Sequence, residues 1–185
     1  VSLSDNDSHP LLSFSRSFEI IQMDYLANQQ VLSPEAAETA GQLLKYIASP
    51  EEYKFYQELG LTGKAQFLVR FWRNQDPTPG TLENEYLQAI KERYRYANEH
   101  FGWAKTEGWA TDKGYVLIKY GMPSEIARFY AEADIEPYEI WYYQEDRTYQ
   151  FIFGDVNANG RFALLHSTRE DEVHNANWRE WLKKF

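Results

Sequence analysis

Apolar residues recur at helical spacing through the first half of the chain and change to strand-like runs after about residue 108. Ser33-Pro34 has the form of an N-cap followed by a first-turn proline, and Ala36, Ala37, Ala40, Leu43, Leu44 and Ile47 follow on one face. Ser49-Pro50-Glu51-Glu52 reads as a capping box opening a helix with Tyr53, Phe55, Tyr56 and Leu59, stopped near Gly60. Thr62 is placed as the cap of a third helix, whose stripe is Ala65, Leu68, Val69 and Trp72. Asp76-Pro77-Thr78-Pro79-Gly80 must break it, because proline lacks the amide donor and restricts its predecessor. Thr81 is placed as the cap of a long fourth helix carrying Leu87, Ile90, Tyr94, Ala97 and Phe101.

The second half reads as strands. Tyr115 to Tyr120 is β-branched and aromatic between glycines, which predicts a buried strand. Tyr138 to Tyr143, Thr148 to Phe153 and Phe162 to Ser167 follow, joined by short polar turns, so an antiparallel meander is expected. Trp178, Trp181, Leu182 and Phe185 predict a short terminal helix. Helices first and strands second is the α+β pattern: four N-terminal helices packed on a C-terminal four-stranded antiparallel sheet.

Composition narrows the classes. The chain has 185 residues, 43% hydrophobic and 25% charged, enough to bury a core, which excludes disorder of the whole chain. No run approaches the roughly 20 apolar residues of a membrane span. A net charge of −9 argues against a general nucleic-acid binder, which needs cations to displace phosphate counterions. There is no cysteine, so disulfides and thiolate chemistry are excluded, and no motif points to a cofactor. Residues 1–32 read as a lead-in or the end of an upstream module, and 33–185 as the α+β domain. Beginning at Val1 rather than Met, the chain is expected to be a processed or trimmed product.

Gly108-Trp109-Ala110-Thr111-Asp112 carries a five-residue signature, and ordered blocks accompany it. These are Phe71-Trp72, Asp76 to Thr81, Asn84-Glu85, Arg93, Tyr96-Ala97-Asn98, Phe101, Lys113 to Pro123, and Glu139 to Tyr143. Over roughly residues 35–168 the chain resembles the GWxTD domain family of uncharacterised, mostly exported bacterial proteins. The resemblance implies an extracytoplasmic location (periplasmic, outer-membrane-associated or secreted) and protein partners in the cell envelope. It implies no particular activity. One departure is visible: Asn74-Gln75 precede Asp76 where the family usually carries an arginine.

Several residues could carry chemistry. Asp112 has the setting of a turn residue accepting backbone amides, with Trp109 covering the core, or else of an acid/base group walled by Trp109. Arg93 is read as reaching a carboxylate such as Asp76 or Asp112, as a lock between layers or as an anion site. Asp155, Asn157 and Asn159 match half of a calcium loop, but His166 stands where its bidentate glutamate belongs, and a metal-free turn is preferred. The strand aromatics, Trp141 and Tyr143 among them, are either a binding platform or core covered on both faces. The expected function is a non-catalytic envelope interaction domain. The alternatives are a hydrolase of envelope polymers using Asp112, Glu85 and Asp76, or a glycan-binding module built on the aromatic platform.

Overall fold

The computed structural model describes residues 33–130 and 132–184; the lead-in, residues 1–32, lies outside them. The chain divides into two compact units between Lys91 and Glu92. Helices precede a four-stranded antiparallel sheet, so the fold is α+β.

The first unit holds α1 (Pro34–Ile47), α2 (Pro50–Glu58), α3 (Leu61–Asn74) and the opening turns of α4 (Glu85–Phe101). The expected caps form at α1 and α2. The Ser33 hydroxyl accepts the Ala36 amide, and Ser49 with Glu52 closes a reciprocal box. Ala36, Ala37, Ala40, Leu43 and Leu44 bury the stripe of α1. Tyr56 packs with Phe67 edge to face, and its hydroxyl donates to the Ala37 carbonyl at 2.8 Å.

Two helix starts differ from the sequence reading. Helix α3 begins at Leu61 with Gly60 as cap, ahead of Thr62. Helix α4 begins at Glu85 rather than behind Thr81. The Thr81 hydroxyl is committed to the loop carbonyls of Thr78 and Glu83. Buried Asn84 caps the helix instead: its Oδ1 accepts the Leu87 amide at 2.8 Å, and its Nδ2 donates to the Trp72 carbonyl at 2.6 Å.

The second unit holds the rest of α4, a 3₁₀ turn (Gly108–Ala110), α5 (Asp112–Tyr120) and four strands. The strands are β1 (Glu125–Phe129), β2 (Tyr138–Gln144), β3 (Thr148–Gly154) and β4 (Ala163–Ser167), in spatial order β1-β2-β3-β4. The segment Tyr115–Tyr120, expected as a strand, is helical. Tertiary burial and capping override its β-branched composition: Val116, Leu117 and Ile118 are all buried, Thr111 caps the start, and Gly121 ends the helix at φ 83°. The missing strand is supplied by β1, a short run with exposed Glu125 and Arg128. The expected terminal helix is a single 3₁₀ segment, Trp178–Leu182.

Both faces of the sheet are covered in the strands' centre. Trp141, Tyr143, Tyr149, Phe151 and Phe153 are buried on the side where Phe101 of α4 and Tyr120 of α5 pack. Tyr138, Ile152 and Leu165 bury against Trp178 and Leu182 on the other. These aromatics are therefore core, and Trp141 and Tyr143, both buried, do not form the exposed platform expected as one reading of them, while Tyr142 on the other face is half-buried.

Candidate functional site

The signature residues build the start of α5. The Thr111 hydroxyl accepts the Gly114 amide at 3.1 Å and donates to the Gly108 carbonyl at 2.7 Å. Asp112, first residue of the helix, is positioned where negative charge favours the helix dipole. Its Oδ2 accepts the Leu164 amide of β4 at 2.7 Å. The Trp109 amide donates to Asn98 Oδ1 at 3.1 Å, and the indole N–H donates to Glu107 at 2.7 Å. The Trp109 ring stacks on Tyr94. A Cβ at Gly108 would lie 1.8 Å from the Ala97 carbonyl oxygen, and one at Gly114 would lie 2.1 Å from the Gly108 oxygen. Three stretches of backbone thus cross at distances only glycine permits.

The end of α5 is fixed by two more of the expected site residues. Arg93 Nη1 donates to the Ile118 carbonyl at 2.9 Å rather than to Asp76 or Asp112. Its cationic head satisfies a last-turn acceptor and complements the negative end of the helix. The Tyr143 hydroxyl donates to the Gly121 carbonyl at 2.9 Å, and burial raises its pKa above the ordinary tyrosine value. The residues read as candidate binding groups at Trp109, Arg93 and Tyr143 therefore pin the two ends of one helix.

Between those ends, Lys113 projects into a cleft of about 210 Å³ that Glu139 and Trp141 also line. Lys113 Nζ lies 2.9 Å from Glu139 Oε2, with the two side chains 12% and 8% exposed. Glu139 also takes the Trp141 indole N–H at 3.1 Å and the Tyr130 hydroxyl. Arg128 Nε approaches its other oxygen at 3.6 Å, while the Arg128 side chain stays 54% exposed. Burial pushes the Glu139 carboxyl up, but the bonds from Tyr130, Lys113 and Trp141 prevail and hold it below the usual carboxylate range. For Lys113 burial prevails, lowering its pKa despite the paired Glu139. Burial and then the bond to Glu139 raise Tyr130 to about 12. Lys113 also sits over the Phe162 ring, 3.8 Å from its centroid. Phe101, Met122, Pro123 and Ile126 supply apolar wall, and His100 stacked on Tyr96 forms part of the rim. Two cations face one carboxylate, so the charges named leave an excess of one positive charge.

The other expected residues are placed elsewhere. Asp76 and Glu85 both meet Thr78: Asp76 Oδ1 accepts its amide at 2.9 Å, and Glu85 Oε2 accepts its hydroxyl. Glu85 is exposed, and the Thr78 hydroxyl heads the bonds that hold its pKa down. Together they shape the proline-rich turn and the start of α4. The two oxygens of buried Asp155 accept the amides of Asn159 and Gly160, at 2.9 and 2.7 Å. Asn159 Oδ1 accepts the Arg161 amide, and Asn157 stands exposed in the same turn. The connection between β3 and β4 passes through Gly160 at φ 79°, a left-handed backbone that favours glycine. Among the described residues no group of three or more His, Asp or Glu could hold a metal ion.

Of the cleft residues, only Trp141 was read from the sequence as a candidate binding residue, although Tyr96, Phe101, Lys113 and Glu139 fall in the blocks that carry the family resemblance. Lys113, Arg128 and Glu139 come from three elements and share no local spacing. One signal was present: Glu139 interrupts an aromatic strand, and a charge there must be paired or bound.

A family model described as the GWxTD domain matches residues 26–183. No curated protein and no solved structure matches the chain. No helix among the described residues is long and apolar enough to cross a membrane.

Proposed function

The chain belongs to the GWxTD domain family, and from that premise we propose that it is a non-catalytic interaction domain of the bacterial cell envelope. Support comes chiefly from the cleft: a carboxylate already saturated by three hydrogen-bond donors, bordered by a half-exposed guanidinium and apolar walls. Such an arrangement suits recognition of a ligand by charge and shape, and its carboxylate is held in the ionised form. A carboxyl that serves as general acid near neutral pH needs its pKa raised by burial or by a like charge. Every displaced carboxyl among the described residues (Glu85, Glu139 and Asp171) is displaced downward.

The alternatives receive less support. Asp112 is committed to the Leu164 amide, and Asp76 and Glu85 to Thr78. A hydrolase built on these three would have to release bonds that hold the fold. A glycan platform of Trp141 and Tyr143 would have to lie at the surface, and both are buried.

Cell fractionation combined with turnover assays tests the reading. The protein is expected in the envelope fraction of the bacterium that encodes it, in a complex heavier than its own denatured mass. Purified, it is expected to release no product from peptidoglycan or envelope polysaccharide. Turnover that disappears in Asp112→Asn, Glu85→Gln or Asp76→Asn while the protein stays folded would establish the hydrolase instead.

A further inference from the structure

The two edges of the sheet are treated differently. On β4 the Leu164 amide is taken by Asp112 and the Ser167 amide by the Val173 carbonyl. Strand β1 pairs with β2 alone among the described strands, leaving its other edge without a strand neighbour. Its register sets Ile126 opposite Trp141 and Arg128 opposite Glu139, so those two residues share the cleft side. Glu125, Ala127 and Phe129, opposite Tyr142, Ile140 and Tyr138, share the other. Among the described residues β1 thus has an open edge beside the cleft, and at such an edge strand addition works by main-chain bonds that hold the ligand and alternate side chains that select it.

We propose that an extended segment of a partner protein adds to the β1 edge and sets a carboxylate against Arg128, with an apolar residue two positions away against Ile126 and Met122. Side chains two residues apart on a strand fall on the same face, about 6.6 Å apart, which matches the Ile126–Arg128 repeat. Charge selects the occupant. Among the described residues Arg128 and Lys113 share one ion-pair partner, Glu139, and the Arg128 side chain stays half-exposed. A strand that presents a carboxylate to the half-exposed Arg128 is therefore the favoured guest. This inference rests on the binding-domain reading and adds to it the chemistry of the partner.

Fluorescence polarisation on the full chain tests it with four labelled octapeptides. One carries Leu and Asp two positions apart in an alternating Val/Thr background with an amidated end. The second replaces Asp by Asn. The third is the Asp peptide N-methylated at every second residue. The fourth lacks Asp and ends in a free carboxylate. Saturable binding of the first or fourth is expected, the first alone or both assigning the anion to a side chain and the fourth alone to a chain terminus. Binding of the Asp peptide is expected to weaken at least tenfold with Asn and at least tenfold with N-methylation. Whichever carboxylate peptide binds is expected to bind at least tenfold more weakly to Arg128→Gln, whose unfolding midpoint should match the parent. No saturable binding, equal affinity for Arg128→Gln, equal affinity of an N-methylated peptide, or dimerisation through β1 seen by sedimentation would each overturn the proposal. A partner captured elsewhere on the chain, with β1 inert to all four peptides, would end this inference and leave the binding-domain reading standing.

Discussion

The Asp112 carboxylate accepts the Leu164 amide at 2.7 Å across 52 residues of sequence, joining the first turn of α5 to β4. The signature's acid is thereby a ligand for backbone. Asp112 and this bond are exposed, so Asp112→Ala is expected to cost about 1 kcal/mol, the net worth of the bond plus the lost dipole contribution. Asp112→Asn keeps an acceptor oxygen and should cost about half as much. Urea unfolding of the two variants measures the difference, which vanishes if the charge rather than the bond matters.

The glycines of the same corner should be less forgiving. Gly108→Ala would place a methyl 1.8 Å from a carbonyl oxygen of α4, and Gly114→Ala one 2.1 Å from the Gly108 oxygen. Backbone must move in both cases, so each substitution is expected to cost more than about 3 kcal/mol and to yield little folded protein. Gly160→Ala, strained only by its φ of 79° with open space around it, should cost about 1 kcal/mol. Circular dichroism melting curves of the three proteins compare them.

The buried pair in the cleft predicts an acid dependence. The folded pKa of Glu139 lies below its unfolded value because Tyr130, Lys113 and Trp141 outweigh its burial. Its contribution is complete above the ordinary carboxylate value of about 4.3 and drains away as pH falls below that toward the folded value. Glu139→Gln leaves Lys113 buried without a counter-charge and should cost about 3–5 kcal/mol at pH 7. That variant should also show a flatter loss of stability in acid. Adding Lys113→Met removes the stranded charge and should recover a large part of the loss. Denaturant midpoints from pH 3 to 7 test all three statements.

In the first unit, Asn84 serves two buried backbone groups, the Leu87 amide and the Trp72 carbonyl. Asn84→Ala is expected to cost about 2 kcal/mol. Asn84→Asp keeps the cap and loses the donor to Trp72, so it should recover only part. Equilibrium unfolding followed by tryptophan fluorescence gives the ranking.

Local chemistry was legible wherever one residue decides an element's end. Ser33-Pro34 and the Ser49–Glu52 box mark α1 and α2 without help from distant parts. Asn84 was harder to see, because Thr81 offers a side-chain oxygen acceptor three residues earlier, whereas the bond to the Trp72 carbonyl that fixes Asn84 comes from a distant element. Tyr115–Tyr120 misled because its β-branched and aromatic composition is what a strand needs, while its helical state comes from contacts at both ends. Thr111 and Asp112 hold the start, and Arg93 and Tyr143 hold the finish. The same displacement hid β1, whose five residues alternate weakly and end in a charge-bearing edge. Candidate residues were found for their chemistry, and most of that chemistry serves backbone. The cleft escaped because Lys113, Arg128 and Glu139 converge only in three dimensions.

Crosslinking from the cleft rim tests most directly whether the signature is scaffold and the cleft is where recognition occurs. A photo-crosslinking residue in place of Met122, 56% exposed there, is introduced into the full chain in the bacterium that encodes it. A discrete adduct with one envelope protein is expected, kept in folded Asp112→Asn and lost in Arg128→Gln. No adduct, an adduct indifferent to Arg128, or one abolished by Asp112→Asn in a protein that remains folded would contradict the account.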